Sequence, residues 1–128
     1  MRVSVVLRLL LAHAAAGLAL VGMVACSDSS GEPPPGCPGA PSVTCPSMPP
    51  TYTADIQPLL QSRCYGCHGP GGIEQGSFDL TTYNRVTGAR SDIATQVGQC
   101  IMPPPDAGQL TTQERTELFQ WIECGSPN

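Results

Sequence analysis

The sequence predicts an all-α fold, and three local patterns carry that expectation. Ile56, Leu59 and Leu60 fall at helical spacing, so they share one face. Thr111 and Glu114 have the spacing of a capping box, and Leu118, Trp121 and Ile122 then line one face of the helix it opens. Between these two segments the chain reads as short helices and glycine loops, without the alternating apolar pattern of strands.

The first helix is expected to be capped by Asp55, with Pro58 in the first turn, where its missing N–H does no harm. It runs up to Cys64. Short helices are expected near Thr81–Val86 and Ser91–Val97. The last helix is expected to stop at Gly125, a natural residue just past a helix end, and to pack its apolar face on Ile56, Leu59 and Leu60.

Three segments differ in composition. Residues 1–25 carry Arg2 and Arg8 followed by an apolar run to Ala25, and read as a signal peptide. That run is short for a membrane span of ~20 residues, and no basic stop-transfer cluster follows it. The stretch Met23-Val24-Ala25-Cys26 resembles a bacterial lipobox, with Met23 where Leu is usual, so Cys26 is expected to carry lipid. Lipidated Cys26 would hold the chain on the periplasmic face of a membrane. Ser27 favours the outer membrane, by resemblance to lipoprotein sorting signals. Residues 26–51 hold eight of the fourteen prolines and read as a spacer. Residues 52–128 are expected to form the folded domain.

Without the leader the chain has four basic and ten acidic residues and no lysine, a net charge of −6. Nucleic acid, which is bound through basic patches, is excluded as a partner class. A basic protein partner is compatible with this charge.

Seven cysteines in 128 residues point to an oxidising compartment. Cys64-Tyr65-Gly66-Cys67-His68 is the informative group. Two thiols separated by two residues suit thioether bonds to the two vinyl groups of one haem, and the adjacent His68 is then an axial iron ligand. A thioredoxin-like site would need a βαβ context, and a zinc site would need further ligands. Met102, in Cys100-Ile101-Met102-Pro103-Pro104-Pro105, is the expected second axial ligand, because consecutive prolines stiffen the loop that presents it. Met48 is the alternative, and a methionine that only fills the core is the plain reading of Met102. The remaining cysteines are expected to pair as Cys37 with Cys45, inside the spacer, and Cys100 with Cys124, closing a 24-residue loop.

Residues 52–128 resemble the small monohaem domains of the class I cytochrome c family, in particular bacterial extracytoplasmic ones. The matching segments are residues 52–60, Cys64 to Gly69, Phe78-Asp79-Leu80-Thr81-Thr82-Tyr83, Ile101-Met102-Pro103-Pro104, and Leu110-Thr111-Thr112-Gln113-Glu114-Arg115 with Trp121-Ile122. The resemblance implies a cytochrome c fold, with first and last helices crossing beside one covalent haem c. It implies a monomeric electron carrier between redox protein partners, not an enzyme. A haem sensor in which a small ligand displaces Met102, and an interaction lipoprotein without redox work, are the rivals. Tyr83, Arg85 and Arg90 are candidates to approach the haem, with ordinary surface roles as the alternative.

Overall fold

The computed structural model describes residues 35–128. The expected signal peptide and Cys26 lie outside the described residues. The described part is helical, with no strand among its elements. A π-helical turn, Tyr52–Ile56, runs directly into α1, Gln57–Arg63, and α2, Tyr65–His68, follows after Cys64. α3, Tyr83–Gly88, and α4, Arg90–Gly98, are separated by Ala89 alone. A 3-10 turn at Pro105–Ala107 leads to α5, Thr112–Glu123. None of the helices among the described residues is long and apolar enough to cross a membrane.

The start of the first helix differs from expectation. Thr51, not Asp55, is the N-cap: its hydroxyl accepts from the Ala54 amide at 3.3 Å. Asp55 is the reciprocal partner, and its carboxylate accepts from the Thr51 amide at 2.7 Å. An acidic residue in the first turn also suits the positive end of the helix dipole. The amide of Ile56 reaches back to the Thr51 carbonyl, which widens this turn and buries Tyr52 and Ile56. Pro58 sits in the first turn of α1, as its missing donor requires.

α3 and α4 lie near the expected stretches. The Asp79 carboxylate accepts from the Thr81 amide at 2.7 Å, so residues 79–81 form a turn and the helix starts later, at Tyr83. α5 opens on the expected capping box: Glu114 N–H donates to the Thr111 hydroxyl at 3.2 Å, and Thr111 N–H donates to the Glu114 carboxylate at 2.8 Å. It closes at Gly125, with φ +95°, and Ser126 N–H returns to the Trp121 carbonyl at 2.9 Å.

The core joins the two ends of the chain. Trp121, Leu118, Phe119 and Ile122 of α5 share one buried cluster with Tyr52, Ile56, Leu59 and Leu60, so the expected packing of the last helix against the first is present. Val86, Ile93 and Val97 join it from α3 and α4, and Leu80 and Leu110 from the loops. The C-terminal residues lie across this seam. The Pro127 carbonyl accepts from the Tyr52 amide at 2.9 Å and from the Trp121 indole at 2.8 Å.

The disulfides correct two expectations. Cys37 pairs with Cys100 and Cys45 pairs with Cys124; the expected pairs Cys37–Cys45 and Cys100–Cys124 do not form. The reason lies in the path of residues 35–50. Composition suggests a spacer, yet the segment lies over α4 and α5 as a strap. Arg115 donates to the Gly39 carbonyl at 3.1 Å, and Gln120 donates to the Thr44 carbonyl at 3.4 Å. Ala40 sits against Gly98, where a Cβ would lie 3.4 Å from the alanine methyl. Each cysteine of the strap is thereby carried to a helix end instead of to the other. The bridges span 63 and 79 residues. In the chain-entropy account each removes ~4 kcal/mol of freedom from the unfolded chain, and because the two loops overlap the effects do not simply add.

This architecture makes two outcomes measurable. Peptide mapping without reduction should yield the linked pairs Cys37–Cys100 and Cys45–Cys124, whereas Cys37–Cys45 peptides would refute the strap. Thr111→Ala should lower stability to denaturant by about 1 kcal/mol, the usual cost of a lost N-cap.

Candidate functional site

The Cys64–His68 turn forms where α1 ends. Cys64 N–H still donates to the Leu60 carbonyl at 2.8 Å, and His68 N–H donates to the Cys64 carbonyl at 2.9 Å. The bonds on either side of Cys64 therefore place Cys67 and His68 one turn after it. Both thiols are half-buried and unpaired, although the other four cysteines of the described residues are oxidised. Burial pushes the Cys64 thiol up to about 11. It is therefore a neutral thiol at pH 7 and a weak thiolate nucleophile there.

The loop after the motif folds back over it. Glu74 N–H donates to the Cys67 carbonyl at 2.9 Å, and Leu80 N–H donates to the His68 carbonyl at 3.2 Å. Gly72 makes this possible, since a Cβ there would land on the Cys67 carbonyl group. The loop delivers Phe78 to His68. Their rings meet edge to face with centroids 5.6 Å apart, and His68 Nδ1 lies 2.9 Å from the Phe78 carbonyl. A carbonyl only accepts, so this contact places the imidazole proton on Nδ1. The ring is held from two sides, with Nε2 not engaged by that carbonyl. Metal-ligating histidines commonly donate their other ring nitrogen to a carbonyl in the same way.

Met102 stands on another element. Its loop leaves α4 through a Schellman cap: Cys100 N–H donates to the Val97 carbonyl at 3.1 Å and Ile101 N–H to the Gln96 carbonyl at 2.9 Å. Cys100 takes φ +56° to make the turn. The Met102 amide also reaches the Gln96 carbonyl, at 3.1 Å. Gln109 donates to the Pro103 carbonyl and braces the far side of the loop. Met102 is 36 % exposed and lies outside the buried core cluster, so it is not the gap-filling methionine of the plain reading. Ile101 and Ile73 are also exposed, at 47 % and 85 %.

These residues fit a covalently attached haem in the chemistry of their donors. Two unpaired thiols three positions apart suit attachment through two separate bonds. One imidazole nitrogen and one thioether suit iron. Among the described residues no group of three His, Cys, Asp or Glu side chains is arranged to hold a metal ion. A tetrahedral zinc site needs such convergence, whereas attachment at two separate vinyl groups does not.

The other candidates have local partners. Arg85 pairs with Asp79 at 2.7 Å, Arg90 donates to the Thr87 carbonyl at 2.9 Å, and the Tyr83 hydroxyl donates to the Ser126 carbonyl at 2.9 Å. All three thus serve ordinary structural contacts. Met48, in the strap, is 86 % exposed. Sequence reasoning missed Phe78, Gly72 and Arg115. The glycine pair after Pro70 signalled a tight loop, but only the folded chain shows what that loop covers.

Gly72→Ala should destabilise the protein by about 1–3 kcal/mol, because a methyl group is forced against backbone. A thermal melt checks this, with Gly76→Ala, where a Cβ meets open space, as the control. Comparison with known proteins finds no matching family model, no similar curated protein and no similar solved structure.

Proposed function

We propose that this chain is a monohaem c-type cytochrome, with haem c attached through Cys64 and Cys67, His68 as one axial ligand and Met102 as the other. The supporting observation is the state of the Cys64–His68 turn. Two thiols remain unpaired beside an imidazole whose Nδ1 is occupied, in a chain whose other described cysteines are cross-linked. The all-helical architecture is compatible with the cytochrome c fold that the resemblance implies.

Haem iron bound at such a site supplies a one-electron couple, and methionine ligation raises its potential. The protein's own part is positional. Cys64 and Cys67 tether the group to the end of α1. The Phe78 carbonyl fixes the His68 ring so that Nε2 keeps one orientation. The Schellman cap and the proline run hold Met102, which lowers the ordering cost of presenting its sulfur. With His68 and Met102 both holding the iron, no coordination position would be left for a substrate, and the function is electron transfer between extracytoplasmic partner proteins, not catalysis. The same proposal includes export by residues 1–25 and lipidation at Cys26, so that the domain works at the periplasmic face of a membrane, the outer membrane being favoured.

Full-length protein made with a c-type maturation system should carry one haem by intact mass, together with the acyl mass on Cys26. Its reduced spectrum should be low-spin, without binding carbon monoxide. Met102→Ala should lower the potential and open the iron to carbon monoxide. Ready carbon monoxide binding by the wild type would favour a sensor. Protein with Cys64→Ala and Cys67→Ala should hold no covalent haem. Wild-type protein without haem would defeat the proposal and leave the interaction lipoprotein.

A further inference from the structure

Arg115 is a charged side chain in the core. It is 4 % exposed, and burial lowers its pKa from the usual arginine value. No carboxylate pairs with it: among the described residues the salt bridges are Arg63–Glu114 and Arg85–Asp79. A buried guanidinium without a carboxylate is costly unless its donors are well used. Here they converge on the root of the Met102 loop. Nη2 donates to the Val97 carbonyl at 2.6 Å, and lies 3.5 Å from the Gly98 carbonyl and 3.1 Å from Cys100 Sγ. Nε donates to the Gly39 carbonyl of the strap at 3.1 Å. One cation thus joins α5, the last carbonyls of α4, the Cys37–Cys100 bridge and the strap.

This position bears on the loop that leaves α4. The last carbonyls of a helix are its negative end, where a cation is favoured. The Val97 carbonyl also accepts the Cys100 amide in the Schellman cap, and that cap directs Ile101 and Met102 away from the helix. We infer that Arg115 is a positioning residue for the Met102 ligand: it locks the end of α4 against α5 so that the loop leaves in one direction. A buried arginine serving only the core would carry no relation to iron ligation. The inference rests on the proposed function, and its test separates the two.

The test uses full-length holoprotein. In Arg115→Met, amide exchange at Ile101 and Met102 should accelerate about tenfold or more relative to Leu59 and Leu60, the effect of losing one charge-assisted hydrogen bond. The ferrous form should gain carbon monoxide binding. Arg115→Lys keeps the charge but lacks the fork that spans Val97 and Gly39, so it should fall between wild type and Arg115→Met, and it carries the test if Arg115→Met does not fold. Exchange that is unchanged, or that rises equally in α1, overturns the inference, as does carbon monoxide binding that stays at the wild-type level. If the loop loosens but Met102→Ala leaves the iron closed, the ligand assignment fails and the inference falls with it.

Discussion

Two disulfides hold the strap of residues 35–50 across α4 and α5, and most of the structure depends on that constraint. Cys37 is joined to Cys100 at the end of α4, and Cys45 to Cys124 at the end of α5. A chain of this size buries a modest core, and small domains are only marginally stable. The strap supplements the core in two ways. It covers Gly98 and the Arg115 guanidinium, and it shortens the unfolded chain through two long closed loops. The buried cation is compensated by the Gly39 carbonyl that the strap delivers together with the Val97 carbonyl at the end of α4.

The proposed haem ligands are positioned by different routes. Met102 lies two residues beyond a bridged cysteine, at a cap held from within α4. At His68, glycine-assisted folding of residues 69–80 brings the Phe78 carbonyl to the ring. One proposed ligand therefore stands next to a cross-link and a buried charge, the other next to a backbone hydrogen bond. Neither depends on the acidic surface, whose ion pairs are partly exposed and contribute little to stability.

Local signals in the sequence were reliable where the physics is local. The Thr111–Glu114 capping box forms because its partners are three residues apart and its geometry is set within one helical turn. Gly125 ends α5 because a residue without a side chain adopts positive φ freely. The face of Leu118, Trp121 and Ile122 is buried as its spacing requires. The N-cap of the first helix lies four residues before the expected one because Thr51 and Asp55 are both capping types. Their mutual hydrogen bonds, not their identities, decide which residue caps and which answers it.

By itself the sequence determined the helical character of the described residues, the last helix and both of its ends, and the residue set Cys64, Cys67, His68 and Met102 on which the proposed function rests. These depend on spacing and residue chemistry within a few positions. Only the tertiary structure decided which cysteines pair, that a proline-rich segment is a strap, that the Phe78 carbonyl orients His68, and that Arg115 sits beneath the Met102 loop. Each of these joins groups far apart in the chain or depends on the path of a loop. Composition and periodicity carry no information on which distant surfaces meet, because that is set by the packing of all the elements together.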